Sequence, residues 1–310
     1  MSIIAENISK EYKKKSNYSL EKISFEVKKG EIWGLIGHNG SGKSTILKIL
    51  AGVLKQSTGV VLINGSEPRE YGMQQGGKLG ILIEAERAMY WRLTGEENLT
   101  RIAELKGLSS EIAKEQILYY LRKFNMELDK DKLVLNYSKG MKVKLGIIAA
   151  LLGEPEVLLL DEPLAGLDAV ARKVTTELLK ELAQKGCSIV LCENNLDVVE
   201  KICDTVLLLQ KGKRIAFDKP AKLLEEIVGE GVIEIKGEDV IDITKLEEIL
   251  GEYSKIVVLE EGIQIYANDI LYAIAKIRKE KMQLLSLSFR EKNLSDYFIM
   301  KGDGSCEKDS

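Results

Sequence analysis

Short β-rich runs separated by turns open the chain, over residues 2–8, 20–27 and, after a Lys-Lys-Gly turn, 31–36. These runs predict strands. After Ile36 the pattern changes to GHNGSGKSTILKILAGVL, a glycine-rich loop running into an amphipathic helix. Residues 60–63 return to a strand closed by Asn64-Gly65, and residues 79–83 form another apolar run. From Gly95 to about Leu135 the spacing is helical, with apolar positions at 99, 102, 103 and 105 and again at 117, 118, 121 and 124. With a helix over 141–152 this predicts a helical insert of about 95–152. Strand 157–160, helix 170–184, strand 188–192 and helix 196–202 follow. Such alternation predicts a parallel α/β sheet covered on both faces.

Pro220 suits the first turn of a helix through residue 228. Beyond it the order is strand 232–235, helix 243–250, strand 256–259, strand 263–267, helix 269–280, strand 283–287 and helix 293–300. That is βαββαβ with a tail helix, a small α+β unit of ferredoxin-like type. Charge shifts at the same place: residues 1–220 hold 33 basic and 29 acidic side chains, residues 221–310 hold 12 and 19. The predicted division is therefore a nucleotide-binding domain over 1–220 and an acidic accessory domain over 221–310, ending in a frayed tail, GDGSCEKDS.

Composition narrows the chemistry. A chain of 310 residues, 45% hydrophobic and 30% charged, is neither disordered nor collagen-like. No apolar stretch approaches the roughly 18 residues of a membrane-spanning helix, and the N-terminus lacks a signal-peptide pattern. The expected location is cytoplasmic. The four cysteines, at 187, 192, 203 and 306, have neither CxxC nor metal spacing, which suits reduced thiols. His38 is the sole histidine, which removes Ser-His-Asp triads and histidine metal sites. Neither part is basic enough to predict nucleic-acid binding.

Gly37-His38-Asn39-Gly40-Ser41-Gly42-Lys43-Ser44 matches GxxxxGK[ST] between a predicted strand and a predicted helix. A polyphosphate needs backbone N–H groups, a helix N-terminus, a lysine and a cation, and this loop brings the protein's share. With adjoining Thr45 these residues are the candidate ATP ligands, Lys43 reaching the β- and γ-phosphates and Ser44 holding Mg²⁺. VLLLDE, residues 157–162, ends a strand in two carboxylates. In P-loop proteins the Asp, here Asp161, holds Mg²⁺, and the following Glu162 orients or deprotonates the attacking water. A helix cap is the plainer alternative for this pair.

Up to about residue 220 the sequence resembles the nucleotide-binding subunit of ABC transporters. Tyr137-Ser138-Lys139-Gly140-Met141 stands where that family has its LSGGQ signature, and Ala165-Gly166-Leu167-Asp168 resembles its D-loop. Tyr12 lies where the family stacks an aromatic ring on adenine, with core packing the alternative. The resemblance implies a P-loop NTPase fold of ABC cassette type and head-to-tail pairing. Ser138 and Gly140 of one chain would then face the phosphate held by Lys43 of the other, with Asp168 at the shared site. Ser138 Oγ, the Gly140 N–H and the following helix N-terminus all seek anions.

Three departures stand out. Lys139 and Met141 replace the usual Gly and Gln of the signature, in a form similar to the YSxGMK of antibiotic-peptide and drug exporters. Glu84 replaces the Q-loop glutamine, as in the bacitracin-resistance and lantibiotic-immunity branch; it can ligate Mg²⁺ but, ionised, cannot donate to water. Asn194 replaces the switch histidine in ENNLDVVE. Separately, Ala88-Met89-Tyr90-Trp91-Arg92-Leu93-Thr94 is unusually apolar for a loop, and reads either as core or as a contact for a membrane partner's helix.

The resemblance implies an ATPase motor that is peripheral on the cytoplasmic face of the plasma membrane. Its cofactors would be ATP and Mg²⁺. It would pair with itself or a homologous cassette and drive a permease on a separate chain, exporting a peptide, antibiotic or other amphipathic substrate. The rivals are a soluble ABC-type ATPase without a permease and a regulatory protein that hydrolyses slowly, the latter favoured by Asn194.

Overall fold

A bulge shapes the first strand. In β1 (Ile3–Glu11), Ile3 and Ala5 point inward, Asn7 takes φ 48°, and the slipped register lets Ile8 resume the buried phase. The computed structural model describes residues 3–12, 18–84, 89–237, 243–251, 254–259, 262–279 and 284–301. They divide between Lys219 and Pro220 into two compact units.

In the first unit β1 is the centre of an antiparallel sheet, between β2 (Tyr18–Val27) and β4 (Thr58–Ile63), with Ile3 paired to Val27 and Ile63. A second sheet runs β5-β6-β7-β3-β8-β9. Its members are β3 (Ile32–Ile36), β5 (Leu79–Leu82), β6 (Val157–Asp161), β7 (Ser188–Cys192), β8 (Thr205–Gln210) and β9 (Lys213–Asp218). Strands β3 and β7 are buried along their whole length, as expected of parallel strands covered on both faces. The sheet is not wholly parallel, however. Lys211 (φ 49°) and Gly212 (φ 79°) form a two-residue turn that folds β9 back antiparallel on β8. This hairpin, the separate antiparallel sheet and a short helix, α2 (Pro68–Gln74), correct the simple parallel expectation.

The remaining helices are α1 (Lys43–Leu50), α3 (Gly95–Leu105), α4 (Ser110–Lys123), α5 (Lys139–Leu151), α6 (Ala169–Gln184) and α7 (Leu196–Ile202). A capping box starts α3: Thr94 Oγ1 accepts from the Glu97 amide, and Glu97 accepts from the Thr94 amide. Helix α5 starts two residues earlier than its periodicity predicts, because Ser138 caps it. Trp33, Leu35, Leu47, Leu159 and Val190 belong to one core that packs α1 against the sheet. Strands β3 and β6, with β7 between them, thus hold the glycine loop and the Asp161-Glu162 pair at their C-terminal ends, where open α/β sheets bind ligands. Cys187, Cys192 and Cys203 are buried free thiols; Cys306 lies outside the described residues.

The second unit comprises α8 (Pro220–Glu225), β10 (Gly231–Gly237), α9 (Ile243–Leu250), β11 (Ser254–Leu259), β12 (Gly262–Ala267), α10 (Ile270–Lys279), β13 (Leu284–Arg290) and α11 (Leu294–Lys301). The sheet order β11-β12-β10-β13, antiparallel throughout, is the split-βαβ topology. Ile233, Ile235, Leu246, Ile265 and Ile277 form its core. Arg290 donates to both Asp296 oxygens (2.7 and 2.8 Å) and to Glu234 (2.8 Å), so the fully buried Asp296 ties α11 to the sheet with its charge met. The expected frayed tail over 302–310 lies outside the described residues.

Candidate functional site

Two glycines shape the loop after β3. At Gly37, φ 153°, a Cβ would run into the Leu209 carbonyl and Ser41 Oγ; at Gly42, φ 112°, it would meet Leu20 Cδ2 at 2.6 Å and the Ser19 carbonyl at 2.8 Å. Only glycine fits such approaches at these angles. Helix α1 begins at Lys43, so its first amides face the loop. The buried Lys43 amine donates to the carbonyls of Gly37 and, at 3.2 Å, His38. Burial pushes its pKa down, while Cys192, Glu162 and Asp161 pull it back up. Thr45 shares a 3.0 Å hydrogen bond with Ser19. Ser41 Oγ is buried and, among the described residues, has no partner.

Asp161 ends β6 with its carboxyl raised above the usual range by burial and by Glu162, while Lys43, Lys48 and a hydrogen bond from Ser44 oppose that rise. Glu162 occupies the left-handed region (φ 47°), its amide donating to the Cys192 carbonyl at 2.9 Å. Non-glycine residues held there carry strain, which clusters at functional sites. Asn194 Nδ2 donates to Glu162 Oε1 at 2.6 Å. Behind it, the buried Glu193 accepts from the amides of Asn194 (3.0 Å) and Asn195 (3.2 Å) through Oε1. Burial drives the Glu193 carboxyl up. Glu84, also left-handed at φ 51°, pairs with Lys48 at 3.0 Å.

The structure therefore gathers Asn39, Gly40, Gly42, Lys43, Ser44, Thr45, Glu84, Asp161 and Glu162 around one cleft of about 690 Å³, with Asn194 joined through Glu162. Gly37, His38 and Ser41 complete the loop behind it. Tyr12, Ser138, Gly140 and Asp168 do not line this cleft. Tyr12 is exposed after β1, with Lys10 Nζ 5.6 Å from its ring centroid. Ser138 Oγ accepts from the Met141 amide (3.2 Å), which leaves its O–H to donate elsewhere. A Cβ at Gly140 would meet the Gly166 carbonyl at 2.7 Å, so the start of α5 abuts the 165–168 loop. Asp168 caps α6 through the Ala171 amide (2.8 Å) and pairs with Lys144 (3.3 Å); that amide, then Lys144, holds its carboxyl below the usual range. Sequence reasoning missed Ser19, Lys48 and Glu193.

A second cavity, about 440 Å³, lies away from this cleft, lined by Met73, Ile81, Met89, Ile102, Lys106 and Ala149 among others. Met73 is 77% exposed and Ile81 38%. Lys106 donates to the carbonyls of Ala149 (3.0 Å), Ala150 (3.0 Å) and Leu152 (2.7 Å), capping the C-terminus of α5. Burial pushes its amine down to about 8. Of the apolar segment 88–94, Met89 is buried, while Tyr90 and Trp91 are exposed beneath Arg101 and Lys142, with cation-to-ring distances of 4.9 and 5.1 Å. Ala88 lies outside the described residues.

A family profile described as "ABC transporter" matches residues 20–165. An uncharacterized ABC transporter ATP-binding protein of Methanocaldococcus jannaschii is 37% identical over 217 residues, covering 70% of this chain and 77% of that one. The chain belongs to the ABC transporter ATP-binding family. The linearmycin resistance ATP-binding protein of Bacillus subtilis is 30% identical over 95% of this chain and 96% of its own length. A solved structure described as the ATP binding subunit of an ABC transporter superposes with TM-score 0.67 at 30% identity, over 73% of this chain and 93% of that one. The fold is the ABC cassette, and the protein is an ATPase of that family. Such subunits dimerise and work with membrane permeases. Among the described residues no helix is long and apolar enough to cross a membrane.

Proposed function

We propose that this ATPase drives export through a permease carried on a separate chain, from the cytoplasmic face of the membrane. The substrate class is an amphipathic antibiotic, peptide or related molecule. The observation that carries the catalytic part is the placement of Glu162, held by Asn194 at 2.6 Å beside Lys43, Ser44 and Asp161. In the reaction Glu162 takes a proton from the attacking water, the new P–O bond forms at the γ-phosphorus, and the bond to the β–γ bridging oxygen breaks to release ADP and phosphate. Lys43 exchanges its carbonyl partners for phosphate oxygens, and the buried Ser41 hydroxyl, which has no partner among the described residues, suits another.

The hydroxyl of Ser44 and the carboxylates of Asp161 and Glu84 form a hard oxygen set that suits Mg²⁺. Among the described residues no three His, Cys, Asp or Glu side chains converge as a metal site, so phosphate and water must complete the shell. When bound, the ion would supply positive charge that offsets the charge of the phosphates. Ser138 and Gly140 serve the site of the partner subunit in a head-to-tail pair, Asp168 lies at the same junction, and Tyr12 stacks on the base. An accessory role for residues 221–310 goes with this reading.

The linearmycin resistance relative, which matches almost end to end, supports an antibiotic as the substrate class. The cavity beside Met73 and Ile81 is proposed to seat a cytoplasmic helix of the permease, because apolar side chains stay exposed at its rim while Lys106 links it to α5. Met73→Asp is expected to leave ATPase activity of the isolated chain at the parental rate and to abolish stimulation by the co-reconstituted permease. Equal stimulation of both proteins in vesicles rules out this groove.

Slow, regulatory hydrolysis is the second reading, favoured by the non-titrating Asn194. If Asn194 clamps Glu162 and the γ-phosphate, Asn194→Ala loses about tenfold or more in turnover, as expected for one charge-assisted hydrogen bond. Asn194→His should then raise the rate. Phosphate-release assays of the three proteins decide: equal rates remove the clamp, and a parental protein without turnover supports the regulatory reading.

A further inference from the structure

Ser44 and Lys48 stand four residues apart on α1 and share one face of that helix. From this face the Ser44 hydroxyl donates to Asp161, and Lys48 Nζ lies 3.0 Å from Glu84 Oε1. Lys48 also acts on Asp161, drawing that carboxyl down against its burial. One lysine therefore bears on both carboxylates assigned above to the metal. Two further lysines line the cleft itself: Lys43, which is turned towards the loop carbonyls of Gly37 and His38, and Lys139 at the start of α5.

We propose that Lys48 is a positioning residue that competes with the divalent cation for Glu84 and so sets the metal affinity of the cleft. Its ammonium group is a compact charge on a flexible stem. Both partners are partly exposed, at 37% and 44%, so the pair is weak and exchanges readily. A small divalent cation bound to nucleotide phosphates prefers carboxylate oxygen and outcompetes a single ammonium. Once Glu84 turns to the metal, Lys48 is released and its contact between α1 and residue 84 opens. A glutamine at 84 forms no ion pair, so the carboxylate at 84 and the lysine at 48 work as a unit. This inference rests on the assignment of Glu84 as a metal ligand.

The test uses the full chain, a non-hydrolysable β,γ-imido analogue of ATP and Mn²⁺, with free Mn²⁺ followed by electron paramagnetic resonance, so the readout does not depend on turnover. Lys48→Met, which keeps most of the stem, should tighten Mn²⁺ roughly three- to tenfold, the scale expected for removing a like charge near a partly exposed ion. Lys48→Arg should stay near the parental value. Glu84→Gln should weaken Mn²⁺, and in that background Lys48→Met should give less than half its single-variant effect. Unchanged or weaker Mn²⁺ binding in Lys48→Met, or an equal effect in both backgrounds, overturns the proposal while leaving Glu84 as a ligand. Parental Mn²⁺ affinity in Glu84→Gln overturns the ligand assignment and the proposal with it.

Discussion

Glu162→Gln is expected to lower ATP turnover by about 10²- to 10⁴-fold, the usual range for removing a general base, with nucleotide affinity unchanged. The side chain keeps its length, and Gln Oε1 can still accept from Asn194 Nδ2, so the 2.6 Å contact survives. Its amide still donates to Cys192 at 2.9 Å, which holds the left-handed turn. What disappears is the proton acceptor. Phosphate-release rates paired with fluorescent-nucleotide titrations check both halves of this expectation. A turnover within a few-fold of the parent removes Glu162 from catalysis, and a large loss of affinity assigns it to binding instead.

Lys43→Ala is expected to act on the other half of that comparison. Lys43 is buried at the start of α1, with Asp161 and Glu162 within electrostatic reach, and its amine donates to two loop carbonyls that phosphate oxygens can replace. Losing a charge-assisted contact in a buried setting costs about 1.5–3 kcal/mol, roughly ten- to a hundredfold in affinity for ATP. The fold should persist, because Leu47 and Leu50 carry the packing of α1. Isothermal titration with ATP and ADP checks the outcome. Parental affinity for ATP in a folded Lys43→Ala protein overturns the role given to this lysine.

The residues legible in the sequence were those whose function constrains several neighbours at once. The loop from Gly37 to Ser44 needs glycine at two crowded, positive-φ positions and a lysine at a helix start, so chemistry and backbone write the same motif. Asp161 and Glu162 were legible because a fully apolar strand ends on them. By contrast, Lys48 and Glu84 are 36 residues apart, and Ser19 meets Thr45 across 26. Nothing local in the sequence announces such pairs. Glu193 adjoins a residue already singled out, yet its burial depends on how β7 packs, which periodicity does not reveal. The β8–β9 hairpin was missed because its short apolar run directly follows α7, where helix and strand patterns blur. The order of β3 between β7 and β8, which sets the cleft, is likewise a tertiary outcome.

As proposed above, this cleft binds ATP and Mg²⁺ so that two copies close on it, each supplying Ser138 and Gly140 to the other. Sedimentation velocity of Glu162→Gln with Mg²⁺ and ATP tests it most directly. The expected result is a stable dimer that reverts to monomer with ADP or when Ser138 is also changed to Arg. A protein that stays monomeric with saturating ATP, or a dimer indifferent to nucleotide, contradicts it.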